Sequence, residues 1–163
     1  MKKTFGQMVV EFRLHWKNYV LQSALATLAL LLALCVTRAN QDQMVLVASI
    51  GATAFIVFAL PNNLTARPRN VIGGHIVGLS CGFLASLLAN PESGYVMVIY
   101  ALAVGISMFV MVVFDVEHPP AAGTALGIAI VGAGEGAILS VLIGAVVLAL
   151  AHHLLRRWLR DLA

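Results

Sequence analysis

The sequence contains few charged residues and very few cysteines for its length. Of its 163 residues, 10% are charged, 61% are hydrophobic and two are cysteine. A soluble domain of this size needs a polar surface, so the scarcity of charge excludes one and predicts a single integral membrane domain. Cys35 and Cys81 lack metal-ligand spacing and fall in apolar segments, so we expect both to be reduced core residues. The net charge of +3 is informative about topology and does not predict binding of nucleic acid.

The sequence also lacks the common catalytic and nucleotide-binding motifs. It contains no Walker loop, CxxC or HExxH motif, and no Ser-His-Asp arrangement. We therefore expect no enzymatic activity, no cofactor and no bound metal. One alternative from another class stays open, a membrane-embedded metalloenzyme with the ligands His75, Asp115, Glu117 and His118.

Long apolar segments predict about six transmembrane helices. Five are evident from hydropathy: Tyr19–Thr37, Met44–Leu60, Val71–Ala89, Tyr95–Phe114 and Ala137–Leu155. A sixth, Pro119–Val131, would cover only about 20 Å as a helix, against a hydrocarbon core of about 30 Å. If it crosses, nine of the ten Lys and Arg residues lie on the cytoplasmic side; if it does not, Arg156, Arg157 and Arg160 move outside. We therefore predict six spans and cytoplasmic termini, in a bacterial inner membrane.

Residues 1–16 have the pattern of an amphipathic helix. Their larger apolar side chains recur at helical spacing: Phe5, Met8, Val9, Phe12 and Trp16. This pattern predicts a helix that lies on the cytoplasmic interface and is not a cleavable signal peptide. Residues 17–163 then form a single transmembrane domain.

A weak internal similarity links the second and fifth spans. Residues 50–56 resemble residues 121–128, and pairing Thr53 with Thr124 gives an offset of 71 residues. The same offset maps the first and third spans onto the fourth and sixth, which predicts two inverted three-helix repeats, as in many transporters. The alternative is chance similarity, because Gly, Ala and Thr are common in membrane helices. The many Gly and Ala faces favour close helix contacts, and we expect a homo-oligomer.

A polar break with two prolines separates the fourth and fifth spans, Asp115-Val116-Glu117-His118-Pro119-Pro120-Ala121-Ala122-Gly123-Thr124. Proline fits the first turn of a helix and disrupts its interior, so Pro119 and Pro120 predict a short helix that begins here. We expect the amides from Ala121 to Gly123 to lack intrahelical acceptors and, with the helix dipole, to bind a small anion. Asp115 and Glu117 oppose this unless they are protonated, paired with arginine or at the cytoplasmic mouth. Alternatively, His118 is a turn residue at the cytoplasmic surface.

Two further stretches contain candidate binding or pathway residues. They comprise the hydroxyls of the second span and the start of the third: Ser49, Thr53, Arg69, Asn70, Gly73, Gly74 and His75. The two glycines favour close backbone approach beside His75, which either lines a pathway or is satisfied by a neighbouring carbonyl. Arg67 and Arg69 either set the topology or attract a solute. We expect His152 and His153, at the end of the last span, to be interfacial and nonfunctional.

Two of these motifs resemble those of a known family. Pro68-Arg69-Asn70 followed by Gly73-Gly74-His75, and then His118-Pro119-Pro120-Ala121-Ala122-Gly123-Thr124, resemble the HPP family of integral membrane proteins, which is named for the His-Pro-Pro triplet. The resemblance runs from about residue 15 to about residue 155 and includes Gly51-Ala52-Thr53. Some plant-plastid and cyanobacterial members are linked to nitrite transport, so the resemblance implies transport of a small anion.

The helix start and the resemblance together predict a transporter or channel for a small inorganic anion, with nitrite as the first candidate. We expect the anion to bind near His118-Pro119-Pro120. The expected partners are the anion, the lipid bilayer and further copies of the chain. The alternative is a cation- or proton-coupled transporter of another small solute, which Asp115, Glu117, His118 and His75 motivate.

Overall fold

The computed structural model describes residues 5–37 and 44–162, of which Thr37 and Met44 are described by their backbone alone. All regular structure in these ranges is helical, which confirms the predicted all-α membrane fold. The α-helices are α1 (Phe5–Thr37), α2 (Met44–Ala59), α3 (Pro68–Leu88), α4 (Val96–Val113), α5 (Pro119–Val131) and α6 (Glu135–Leu155), with a 3-10 turn at Leu64–Ala66. Four of them, α1, α3, α4 and α6, are long and apolar enough to cross a membrane, whereas α2 and α5 are shorter apolar helices.

The first helix differs from its prediction. α1 is continuous over 33 residues, without a boundary at residue 16 where the interfacial helix was expected to end. A helix of this length extends about 50 Å, roughly 20 Å more than the hydrocarbon core, so its N-terminal turns project beyond the span. Phe5, Met8 and Phe12 are exposed on these turns, and their contact with the interface stays a prediction. Residues 1–4 of the predicted segment lie outside the described residues.

The cysteines are not both core residues, contrary to the prediction. Cys35 is exposed on α1, and Cys81 is half-buried on α3. An apolar segment predicts burial in either protein or lipid, and only packing between helices decides which of the two a side chain meets.

The contacts between the helices have the symmetry that the predicted repeat requires. α1 packs against α2 and α6, α4 packs against α5 and α3, and the pairs α3–α5, α2–α6, α2–α5 and α3–α6 are also in contact. Exchanging α1 with α4, α2 with α5 and α3 with α6 leaves this set of main contacts unchanged. The arrangement therefore supports two three-helix units and disfavours chance similarity between residues 50–56 and 121–128.

The short helix α5 packs unusually closely against α3. Gly74, Gly78 and Gly82 follow one another at four-residue intervals along α3 and face α5. A Cβ atom at Gly78 would overlap the carbonyl oxygen of Ala121, and one at Gly82 would lie 2.6 Å from the carbonyl oxygen of Ala125. This seam of small residues brings the two backbones together and holds the start of α5 beside the first turns of α3.

The C-terminal residues lie at the same end of the bundle as the α2–α3 loop. The Asn62 amide donates to the Asp161 carboxylate at 3.1 Å, and the Leu162 amide donates to the Ala59 carbonyl at 2.9 Å. Buried Gln22 adds α1 to this end, because its side-chain amide donates to the Arg160 carbonyl at 2.8 Å. Arg67, Arg69 and the basic residues after α6 are therefore on one side of the bundle.

We expect this side to be cytoplasmic, following the positive-inside rule. A fluorescent reporter fused at the C-terminus should be fluorescent, and an alkaline phosphatase fused there should be inactive. A phosphatase fused at Glu92, between α3 and α4, is the control and should be active. An active phosphatase at the C-terminus would contradict both the six-span topology and the inverted repeat.

Candidate functional site

The structure confirms the predicted break before Pro119. α4 ends at Val113 and α5 begins at Pro119, with Asp115 at φ 55° and His118 extended at φ −144° and ψ 94°. Aspartate tolerates the left-handed conformation better than most residues, which allows the chain to turn there. The extended backbone of His118 directs its ring into the bundle, where only 1% of the residue is exposed. The alternative of a surface turn residue is therefore wrong.

His118 is the first member of a chain of buried hydrogen bonds. Its Nδ1 lies 2.8 Å from the Thr65 carbonyl oxygen, which can only accept, so Nδ1 is the donor. Its Nε2 lies 2.9 Å from the Thr53 hydroxyl. The same hydroxyl lies 3.0 Å from His75 Nε2, so Thr53 connects the two imidazole rings.

The chain continues from His75 into α5 and α2. His75 Nδ1 lies 2.9 Å from the Thr124 hydroxyl, which lies 2.7 Å from the Ser49 hydroxyl. Ser49 in turn donates to the Pro120 carbonyl at 2.9 Å. We call this set of buried side chains the polar chain: Ser49, Thr53, His75, His118 and Thr124.

Helices α2, α3 and α5, together with His118 directly before α5, supply the polar chain. Ser49 and Thr53 are one turn apart on α2 and so share a face. His75 lies two turns into α3, where Gly74 provides room: a Cβ there would lie 2.6 Å from His118 Cβ. Thr53 and Thr124 are the residues that the repeat pairs, and His75 bridges them through its two ring nitrogens.

A polar cavity of about 360 Å³ adjoins one end of the polar chain. Its lining combines the α2–α3 loop, the first turn of α3 and the α4–α5 break: Asn63, Leu64, Thr65, Arg67, Arg69, Asn70, Asp115 and Glu117. Thr65 belongs to both sites, because its carbonyl accepts the His118 hydrogen bond. The cavity therefore meets the polar chain at the contact between Thr65 and His118.

The acidic residues of the break, Asp115 and Glu117, line this cavity. Arg69 Nη1 forms an ion pair with the Asp115 carboxylate at 2.9 Å, and both side chains are exposed to about two thirds or more (65% and 79%). An exposed pair of this kind contributes at most about 1 kcal/mol to stability. The Asn70 side chain donates to the Glu117 carbonyl at 3.2 Å. The sequence predicted that Asp115 would be protonated, paired with arginine or at the cytoplasmic mouth. The structure shows that it is paired with Arg69 at the cavity.

The start of α5 does not offer the free amides that the sequence predicted. Pro119 and Pro120 have no N–H, and the Ala121 amide already donates to the His118 carbonyl at 2.8 Å. Ala121 is fully buried against the glycine seam of α3, so this helix start does not face the cavity. The expectation that the Ala121 amide is free to bind an anion is therefore wrong, because this amide is hydrogen-bonded and α3 covers the start of α5.

The first turn of α3 lines the cavity instead. The first intrahelical bond of α3 runs from the Val71 amide to the Arg67 carbonyl, at 2.9 Å. The amides of Arg69 and Asn70 precede it, so they belong to the helix end that favours negative charge. Both residues line the cavity.

The other predicted site residues pack around the polar chain. A Cβ at Gly73 would lie 2.8 Å from the Val116 side chain, so this glycine lets the break lie against α3. A Cβ at Gly123 would lie 3.6 Å from the Ser49 Cβ, so Gly123 faces α2. Pro120 is buried and accepts the Ser49 hydrogen bond, whereas Pro119 is exposed.

His152 is not interfacial, contrary to the prediction. Only 2% of it is exposed, and its Nε2 donates to the Pro61 carbonyl at 2.8 Å, which fastens α6 to the α2–α3 loop. His153 is exposed, as expected. The spacing of His152 after Leu148 and Ala145, which are buried on α6, is the signal that distinguishes the two adjacent histidines.

The four proposed metal ligands do not converge, because His75 and His118 are neighbours in the buried polar chain whereas Asp115 and Glu117 line the outer cavity. Among the described residues, no group of three or more His, Cys, Asp or Glu is placed to hold a metal ion. Asp115 is paired with Arg69, and both ring nitrogens of His75 and of His118 lie within hydrogen-bonding distance of oxygen atoms. This arrangement does not support the metalloenzyme alternative.

The fold and the site define a helical membrane protein with a buried chain of histidines and hydroxyls behind a polar mouth. The sequence matches the family model described as HPP, transmembrane region, over residues 11–161, and the chain belongs to this family. The match confirms the resemblance inferred from the Pro-Arg-Asn and His-Pro-Pro motifs. It includes both histidines of the polar chain.

Two curated transmembrane proteins of Dictyostelium discoideum are similar to part of the chain. They are 33% and 31% identical to it over 87 residues, which are 53% of this chain. The matched region covers only 30% and 28% of those relatives, so the chain spans less than a third of their length. No solved structure has significant similarity to the sequence.

Proposed function

We propose that this member of the HPP family transports a small inorganic anion across a membrane, with nitrite as the first candidate. The observation that carries the proposal is the polar chain, buried inside an apolar helix bundle and adjoining the cavity at Thr65. Polar and ionisable side chains are costly at membrane depth and mark solute pathways there. Four of its five members belong to the two helices that are shorter than a full span. Ser49 and Thr53 are on α2, Thr124 is on α5, and His118 directly precedes α5.

The cavity lining has two basic and two acidic side chains, so its preference for an anion is local to the wall at the start of α3. Arg69 is held by Asp115, but the Arg67 guanidinium has no ion pair among the described residues and is exposed at the rim. The amides and the dipole of the first turn of α3 add positive potential to the same wall. We therefore move the proposed entry site from the start of α5 to the wall formed by Arg67, Arg69 and Asn70.

The packing favours a carrier over an open channel. His75, His118 and Thr53 are 0–1% exposed, and α3 contacts α5 at Gly78. An anion can pass the polar chain only if α2, α3 and α5 move relative to one another. Rocking of one inverted repeat against the other provides such a movement in other transporters.

Nitrite flux into proteoliposomes tests the proposal. The purified chain should raise the initial rate of nitrite uptake above that of protein-free liposomes, which report passive entry of nitrous acid. The increase should saturate with nitrite concentration. A protein that inserts normally but does not raise uptake of nitrite, nitrate or another small inorganic anion would contradict the proposal.

Arg67→Gln should raise the nitrite concentration needed for half-maximal uptake by about tenfold at low ionic strength, because it removes the unpaired cation at the rim. The effect should shrink at high salt, where exposed charges are screened. Arg156→Gln is the matched control, since Arg156 is exposed beyond α6 and does not line the cavity. Equal, salt-independent kinetics for both variants would exclude an attracting role for Arg67.

A further inference from the structure

The polar chain lies between two groups that can only accept hydrogen bonds. These are the Thr65 carbonyl at one end and the Pro120 carbonyl at the other. Five side chains between them make six contacts in series. Each contact needs one hydrogen, and a neutral Ser, Thr or His donates one. The uncharged polar chain therefore supplies five hydrogens for six contacts.

The shortage cannot be removed by choosing tautomers or rotating hydroxyls. Changing the His75 tautomer or turning a hydroxyl only moves the contact that lacks a hydrogen to another place in the series. The Thr53 hydroxyl also lies 3.0 Å from the Ser49 carbonyl, a further acceptor for its single hydrogen. A buried polar contact without its hydrogen is unfavourable. The neutral polar chain is therefore arranged to accept one additional proton.

One added proton completes the series. If it is on His118, that ring donates to Thr65 and Thr53, and the Thr53 hydroxyl donates to His75. If it is on His75, that ring donates to Thr124 and Thr53, and the Thr53 hydroxyl donates to His118. In both states all six contacts have a hydrogen, and shifting the hydrogens across Thr53 interconverts them.

We propose that the polar chain binds one proton, shared by His75 and His118 across Thr53, and that the transported anion is monovalent and moves with it. The proposal of co-transport rests on the proposed function. The proton comes from water in the cavity, forms one N–H bond in the chain and returns to water on the other side. An O–H bond of a hydronium ion breaks as the N–H bond forms, the N–H bond breaks as a new O–H bond forms on release to water, and one cation and one anion cross together.

The charges around the polar chain explain why an anion is required. Helices α2 and α5 have no ionisable side chain, and α4 has only Tyr100. On α6, His152 contacts the Pro61 carbonyl, and the charged residues Arg67, Arg69, Asp115 and Glu117 line the outer cavity. No carboxylate among the described residues contacts the polar chain, so a bound proton leaves a buried positive charge that a monovalent anion can neutralise.

Simultaneous measurement of anion and proton uptake tests the coupling. The purified chain in liposomes that contain a pH-sensitive dye should take up one proton per nitrite, after subtraction of protein-free liposomes. An inward proton gradient should accelerate uptake, whereas a potential set by potassium and valinomycin should not. Nitrite uptake that follows the potential and brings in no proton would overturn the coupling and leave anion transport intact.

Thr53→Val tests the connection between the rings. It keeps the shape of the side chain but removes the hydroxyl, so proton-coupled uptake should fall by about tenfold or more. Thr53→Ser keeps the hydroxyl and should restore coupling. Thr27→Val is the matched control, because the Thr27 hydroxyl also bonds the carbonyl of the preceding turn, at 2.9 Å, but is exposed on α1. Unchanged coupling in Thr53→Val would overturn the proposal.

Nitrogen NMR of histidine-labelled protein in bilayers tests proton binding without any transport. With signals assigned from His75→Asn and His118→Asn, we expect the two rings to take up one proton between them as pH falls. In Thr53→Val they should titrate separately. This result would stand even if nitrite uptake failed, whereas two rings that become charged independently in the unmodified chain would overturn the shared site.

Discussion

Gly78→Ala should strongly reduce the yield and thermal stability of the inserted protein. The new Cβ would overlap the Ala121 carbonyl oxygen, which belongs to the backbone of α5 and cannot rotate away. Overpacking of a tight interface costs about 1–3 kcal/mol or more, a large fraction of the roughly 5–15 kcal/mol that stabilises a typical fold. The thermal midpoint in detergent and the yield of monodisperse protein measure the effect.

Gly105→Ala provides the control for this substitution. Gly105 lies within α4, and a Cβ there would meet nothing within 4 Å. Alanine favours a helix by up to about 1 kcal/mol over glycine, so this variant should be as stable as the unmodified chain or more so. Equal thermal midpoints for the two variants would contradict the close α3–α5 seam.

His118→Ala should nearly abolish uptake in protein that still inserts and assembles. The substitution removes the ring that joins the Thr65 carbonyl at the cavity to the Thr53 hydroxyl inside the bundle. Leaving a buried hydrogen-bonding group without its partner costs about 1–3 kcal/mol, which corresponds to about fivefold to over a hundredfold in an equilibrium constant. His75→Ala should have a similar effect, because it separates Thr53 from Thr124. Initial rates of nitrite uptake per inserted protein are the measurement.

His153→Ala is the control for both histidine variants and should leave uptake nearly unchanged. His153 is exposed at the end of α6. Its neighbour His152 is unsuitable, because it is buried and holds the Pro61 carbonyl, so its removal would disturb the loop that carries Thr65. Equal uptake in the His75, His118 and His153 variants would show that the polar chain is structural.

The helix boundaries could be predicted closely because their signals are local. The fifth span was predicted at Pro119–Val131, and α5 has these bounds, since two prolines mark its start. The second and fourth spans were predicted within one residue at each end of α2 and α4. The predicted boundary at residue 16 was wrong, because an amphipathic pattern and an apolar run can belong to the same helix when no glycine or proline separates them.

The sequence identified the residues of the candidate site but not the groups that they contact. Ser49, Thr53, His75, His118 and Thr124 were all selected from the sequence as unusual residues in apolar surroundings. The amides expected to bind an anion, however, were assigned to the start of α5, because the sequence does not show that α3 packs over that helix end. The same limit applies to His152 and His153, which differ in burial although they are adjacent.

The sequence by itself determined that this chain is an α-helical membrane protein of the HPP type with a break before Pro119. Those properties depend on runs of apolar residues, on proline and on short motifs, which act within one helix or one turn. Only the tertiary structure decided that Thr53 lies between the rings of His75 and His118, which are 22 and 65 residues away along the chain. The shortage of one hydrogen is a property of those contacts, because donors and acceptors can be counted against each other only once packing has brought them together.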